Sequence, residues 1–157
     1  MAQIRVGAAT EPELKNKKQA FEDSLNSTKS ALESGIIPGG GIALLYAKNA
    51  AANLELHGDE LLGAKIVLQA CEAPVRQIIS NSGHNSSVIV SEILKKNDPH
   101  FGFNVLSENI ENLVENGVID PMKVVENALR FACSAAGITL ISEALVTDAK
   151  EDEETKQ

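Results

Sequence analysis

Three places in the chain carry residue types that could do chemistry. At Gly39-Gly40-Gly41, three consecutive glycines follow Pro38 and run directly into the apolar stretch Ile42-Ala43-Leu44-Leu45-Tyr46-Ala47. A glycine turn at a helix N-terminus lets a ligand approach backbone N–H groups aligned with the positive end of the helix dipole, which suits a nucleotide. No Lys-Ser or Lys-Thr follows, so this is not a Walker phosphate loop. The same composition also makes an ordinary turn between helices. Asp120, followed by Pro121, could accept hydrogen bonds from the two hydroxyls of a ribose, and it is equally the residue type that caps a helix. Asp23 could orient a water as general base, or be a solvated acid on a polar helix face. Taken singly, the three sites leave function open.

The elements that must position these residues follow from periodicity and punctuation. Residues 3–9 read as a short extended piece. Thr10, Pro12 and Glu13 then form an N-cap, an early-turn proline and a capping-box acid. The long helix predicted from there carries an apolar stripe of Leu14, Phe21, Leu25, Thr28 and Leu32, and stops at Gly35. A second helix opens from the glycines at Ile42. A polar loop around His57 leads to a third, over about 60–82, with Pro74 predicting a kink. A short helix over 86–95 precedes a short strand at Phe101-Gly102-Phe103-Asn104, and Val118-Ile119 forms a second extended piece. Asp120 then caps a long helix marked by Val124, Val125, Ala128, Leu129, Ala132, Ala135 and Ile138, predicted to be buried. The fold class is mainly α with a few short strands, without internal repeats, and the sole candidate boundary is near Gly35. The apolar stripe of so long a first helix needs partners, so the sequence reads as truncated at its start.

Composition narrows the function classes. The 157 residues are 43% hydrophobic but hold no Trp, one Tyr and four Phe, so the core is aliphatic and aromatic stacking on bases is disfavoured. A net charge of -8 argues against nucleic acid and against an anionic membrane surface as partners. No uninterrupted apolar stretch approaches about 18 residues and the start lacks a signal-peptide pattern, so a soluble, intracellular protein is expected. Cys71 and Cys133 lie in apolar helical patterns and are expected to be small buried hydrophobes. His57, His84 and His100 sit in polar connections without a second ligand at metal spacing and are expected to be solvated; no metal site is predicted. Beyond about Thr147 the run Lys150-Glu151-Asp152-Glu153-Glu154 predicts a disordered acidic tail.

Five blocks, in order, resemble the group I chaperonins (the GroEL family). They are Val6-Gly7-Ala8-Ala9-Thr10-Glu11, Pro38-Gly39-Gly40-Gly41-Ile42-Ala43-Leu44, Glu72-Ala73-Pro74-Val75-Arg76-Gln77-Ile78, Phe101-Gly102-Phe103-Asn104 and Gly117-Val118-Ile119-Asp120-Pro121. The resemblance implies a carboxy-terminal fragment of an ATP-driven protein-folding subunit. Residues 1–33 would be a hinge-domain segment with its long helix, 34–148 the second equatorial segment and 149–157 the tail. It implies that the long helix swings Asp23 onto the nucleotide to position the attacking water. It also implies that the turn at Gly39 and Gly40 lies against the sugar, that Asn104, Val105 and Leu106 contact the adenine, and that Asp120 holds the ribose hydroxyls.

The cofactor so implied is ATP. The ligands for Mg and K, with an Asp-Gly-Thr-Thr-Thr loop and a second catalytic aspartate, belong in that family to an amino-terminal equatorial segment, and no such loop occurs in this sequence. This chain alone is therefore expected to be inactive in hydrolysis. The partners implied for the parent are other subunits in a homo-oligomeric double ring, a co-chaperonin and unfolded proteins, in a bacterial cytoplasm or an organelle matrix. Val105 and Leu106 stand where the family usually has alanines, Ser34 where it has an acid at the helix end, and Asn85 where many members have an acid between rings. The tail lacks Gly-Gly-Met repeats. The alternatives are a non-catalytic helical module that self-associates or binds partners and, less favoured without a phosphate loop, a small independent ATPase.

Overall fold

The helix-start signals at Thr10, Pro12 and Glu13 and the stop at Gly35 give α1 (Glu11–Ser34), in which the Glu13 carboxylate accepts from the N–H of Ala9 at 3.3 Å. Gly35 closes it with φ +82, a backbone angle that glycine adopts at little cost. The computed structural model describes residues 3–51, 55–144 and 146–147. From α1 the order is β1 (Ile36–Pro38), α2 (Ile42–Ala51), α3 (Gly58–Ala70), α4 (Ala73–Asn81), α5 (Ser86–Lys96), β2 (Phe101–Asn104), β3 (Asn109–Asn112), β4 (Ile119–Pro121) and α6 (Met122–Ile141). The fold is mainly α with a few short strands, as the sequence led one to expect. Residues 3–9 form no strand.

One aliphatic core holds the centre. Ile42 and Leu45 of α2, Val75 and Ile79 of α4, Val90 and Ile93 of α5, Phe103 of β2 and Leu113 just after β3 are all buried, with Tyr46, Ile89, Ile110 and Val118 packed against them. Alternating charges are kept outside it. Lys48, Glu72 and Arg76 make an ion-paired bridge across its rim, joining α2 to the start of α4. These two cations hold the Glu72 carboxyl below its ordinary range, Lys48 first and Arg76 second.

The strands pair in two small antiparallel ribbons that the helical periodicity could not reveal. The first, β1 with β4, sets Ile37 opposite Asp120; the second, β2 with β3, sets Gly102 opposite Glu111 and Asn104 opposite Asn109.

Several expectations are corrected. The helix expected over 60–82 is two helices, α3 and α4, because Pro74 has no N–H and the chain turns at Cys71-Glu72 before starting again. Asp120 is not the cap of α6: it is paired in β4 and Pro121 holds the cap position. The first N–H groups of α6 are satisfied from across the molecule, Met122 N donating to Gly35 O at 3.1 Å and Lys123 N to Ser34 Oγ at 3.1 Å. Nor is α6 buried: none of its residues is, because α1 and β4 are its principal neighbours. It is long and apolar enough, by length and composition, to cross a membrane, although Lys123, Glu126 and Arg130 interrupt it. Cys71 is buried but Cys133, on α6, is exposed. His84 is no solvated loop residue; its ring meets Phe103 edge-on at 5.2 Å and its Nδ1 lies 3.1 Å from Ser82 Oγ. The acidic tail at 149–157 lies outside the described residues.

Candidate functional site

The glycine turn sits where β1 ends and α2 begins, and its backbone is fixed from two sides. Gly39 N donates to Val118 O at 2.9 Å, and a Cβ on Gly39 would press on Val118 at 3.2 Å. Gly40 has φ +65; a Cβ there would face Leu113 Cδ1 at 3.5 Å and Phe103 O at 3.8 Å. Gly41 is the most constrained, with φ +77 and Val75 N only 2.8 Å from where its Cβ would lie. No side chain fits at Gly41 without moving the backbone of α4. The turn is thus held against the residues that lead into Asn104 and Asp120.

Asp120 reaches this neighbourhood through β4. Its partner Ile37 is two residues ahead of Gly39, and Val118, two residues before Asp120, accepts the Gly39 N–H. The Asp120 carboxyl is half-buried, and that burial pushes its pKa above the usual carboxylate range. A desolvated carboxylate gains from hydroxyl donors, which a ribose diol would supply. Asp120 lines a cavity of about 130 Å³ with Ser27, Thr28, Ala31, Ile36, Ile119 and Pro121.

Asn104 ends β2, one residue beyond the Phe103 carbonyl that faces the Gly40 turn. Its side chain is engaged: Nδ2 donates to Glu111 Oε1 at 2.6 Å, and Oδ1 accepts from Leu106 N at 3.0 Å. Val105 and Leu106 lie in the hairpin turn, Leu106 with 93% of its surface exposed, and Glu108 closes the turn with φ +56.

Asp23 stands apart. It is exposed on α1, one helical turn before Ser27 at the mouth of the Asp120 cavity. The structure therefore sets the Gly39-Gly40 turn against Phe103, Leu113 and Val118, close in sequence to Asn104 and Asp120, while the cavity at Asp120 opens toward α1 and Asp23 is not among the residues that line it.

Two participants escaped the sequence reading. Glu111 has no motif to mark it, and only the strand register puts it beside Asn104. The joint between α1 and α6 is the other: Ser34 Oγ accepts from Lys123 N while Lys123 Nζ pairs with Glu33 at 2.5 Å, so Ser34 and Glu33 join the two helices. Asn85 likewise has a local task, accepting from Ser87 N and Val88 N as the cap of α5. Among the described residues no group of three or more His, Cys, Asp or Glu is placed to hold a metal ion.

Comparison with known proteins agrees over nearly the whole sequence. Residues 1–150 match the TCP-1/cpn60 chaperonin family. A chaperonin from Protochlamydia amoebophila (strain UWE25), Chaperonin GroEL 3, is 59% identical over 155 residues, covering 98% of this chain and 29% of that relative's length. Among solved structures, a group III chaperonin in the open state superposes with a TM-score of 0.80 at 26% identity, over 90% of this chain and 30% of that one. The chain thus spans less than a third of the relatives it matches, and it belongs to the TCP-1/cpn60 chaperonin family, on the group I side of it.

Proposed function

We propose that this chain is the adenine and ribose side of the ATP site of an ATP-driven protein-folding chaperonin, together with the hinge helix that carries the water-positioning acid. The observation that carries this reading is the convergence of the Gly39-Gly40-Gly41 turn, the end of β2 at Asn104 and the half-buried Asp120 on one junction at Val118 and Leu113. Residues 1–33 act as the hinge segment, and 34–148 as the second equatorial segment.

The residues present suit a nucleoside. The left-handed backbone at Gly40 turns its missing side chain toward Leu113 and the Phe103 carbonyl, and Asp120 offers an acceptor that burial has partly desolvated. ATP supplies the phosphoanhydride bond whose hydrolysis drives the cycle. Asp120 accepts the ribose hydroxyls, the glycine turn bears on the sugar, and Asn104 with its two neighbours bounds the adenine. Asp23 reaches the phosphate end when α1 moves as a rigid lever about its junction with β1, a small rotation there being magnified along the 24 residues of the helix. Its carboxylate then orients the attacking water and takes up its proton. Mg and K would be held by groups of an amino-terminal equatorial segment and would neutralise the phosphates; without them Asp23 would give no useful hydrolysis. The assembled protein is a homo-oligomeric double ring of such subunits that works with a co-chaperonin on unfolded proteins.

The test is MgATP binding and hydrolysis by this chain alone and after adding the amino-terminal equatorial segment of a matching chaperonin. Hydrolysis should appear only on complementation, and Asp23→Ala should lower it by orders of magnitude while sparing MgATP binding. Normal turnover in that variant would remove Asp23 from the mechanism. No nucleotide binding in either form would favour the helical interaction module instead.

A further inference from the structure

We propose that Glu111 is a positioning residue that sets nucleobase choice, locking the Asn104 amide so that it reads a 6-amino purine and rejects a 6-oxo purine. The inference rests on the placement of the base at Asn104 proposed above.

The argument begins with register. Glu111 lies opposite Gly102 in the β2–β3 ribbon, which makes it the diagonal neighbour of Asn104 on the same face. Asn104 Nδ2 donates to Glu111 Oε1 at 2.6 Å, and Ser107 Oγ donates to the same oxygen at 3.1 Å. On its other side, Asn104 Oδ1 accepts from Leu106 N at 3.0 Å. An asparagine amide can ordinarily turn end for end, exchanging its oxygen and its nitrogen. Here the partners forbid it. A carboxylate can only accept, so the atom facing it must be Nδ2; a backbone N–H can only donate, so the atom facing it must be Oδ1. Turning the amide would set oxygen against oxygen at Glu111 and N–H against N–H at Leu106.

What remains free on the locked amide is one N–H of Nδ2 and one lone pair of Oδ1, in fixed order. Adenine presents an amino donor beside a ring-nitrogen acceptor, the pattern an asparagine amide reads with two bonds. Hypoxanthine presents a carbonyl acceptor at that amino position, with an N–H donor beside it at N1. An amide free to turn would satisfy either base, whereas a locked one satisfies only the first. The bond to the carboxylate is charge-assisted and therefore the stronger of the two restraints. Glu111 thus acts through Asn104, without touching the base itself.

The experiment compares dissociation constants for MgATP and MgITP in this chain, complemented by the amino-terminal segment as above, for wild type, Glu111→Ala and Glu111→Gln. The quantity read is the ratio of the two constants within each protein. A general loss of folding weakens both nucleotides together and leaves that ratio alone. Glu111→Ala should reduce the preference for MgATP by on the order of tenfold, while Glu111→Gln, whose amide oxygen can still accept from Nδ2, should retain most of it. MgATP binding with an unchanged ratio in Glu111→Ala would overturn this inference and leave the nucleotide site standing. Failure of every protein to bind either nucleotide would overturn both.

Discussion

The two halves of the molecule are built to different degrees of completeness. Around Ile42, Ile79, Ile93 and Leu113, side chains from α2, α4, α5 and the β2–β3 ribbon bury one another fully. Along α1 and α6, 44 helical residues pack together without burying one, and Phe131, Ile138, Leu140 and Ile141 remain more than half exposed. Both regions are rich in apolar residues, so hydrophobicity alone does not tell them apart. The difference is the number of elements converging on each. A stripe that meets one other helix leaves most of its area in water, whereas a face enclosed by four elements loses nearly all of it. The residues proposed to face the nucleotide lie on the seam, with Gly40 and Asn104 on the closed side and Asp120 on the open one.

The sharpest way to break this comparison is to make the same truncation on each side. Ile79→Ala should destabilise the chain by roughly 2–5 kcal/mol, because the methyl groups it removes are enclosed and a cavity is left. Phe131→Ala on α6 removes a larger side chain yet should stay within about 0.5 kcal/mol, since solvent already covers it. Urea unfolding of both variants checks this, and equal losses would mean that α6 is as enclosed as the core. Next in size is Gly41→Ala at the seam. A left-handed backbone combined with a Cβ pressing on Val75 N should cost about 1–3 kcal/mol, visible in the same titration, and a neutral result would mean that α4 yields freely.

The smallest expected effect separates burial from ionisation at the seam. Burial raises the pKa of Asp120 in the folded chain, so the folded state holds that proton more firmly than the unfolded one does. The stabilisation this gives is complete below the unfolded pKa and is lost as pH rises through the folded value. Asp120→Asn should therefore flatten the decline in stability above the ordinary carboxylate range, measured by melting temperature against pH. An unchanged slope would show that the Asp120 carboxylate is solvated.

What the sequence made legible follows the same division. Caps, glycines and apolar spacing placed α1, α2, α5 and β2 within a residue or two, because those signals are local. The extended piece at Val118-Ile119 was expected, but its pairing with β1 was invisible, since two three-residue strands more than 80 positions apart have no periodicity to show. Asp120 was misread as a cap for that reason: Asp-Pro before an apolar helix looks alike whether the aspartate caps the helix or pairs with a distant strand. Cys133 and α6 were expected to be buried because an apolar pattern specifies a face that could be covered and says nothing about whether a neighbour covers it. The five blocks supplied the proposed site residues by resemblance alone. Glu111 could not be found that way, because its meaning depends on the strand register beside Asn104.

The joint between α1 and α6 also has a kinetic side. Lys123 N and Ser34 Oγ are separated by 89 residues of chain, and the strands on either side of that bond are three residues each. So few bonds cannot offset the entropy of closing so long a loop until the intervening helices have condensed and brought its ends together. The joint should therefore close after the core and open before it, and hydrogen exchange is expected to show the amides of Met122 and Lys123 less protected than those of α2, α4 and α5. Because Ser27, Thr28 and Ala31 of α1 line the cavity at Asp120, a joint that opens without melting the core would change the wall of that cavity and leave the Gly39-Gly40-Gly41 turn in place.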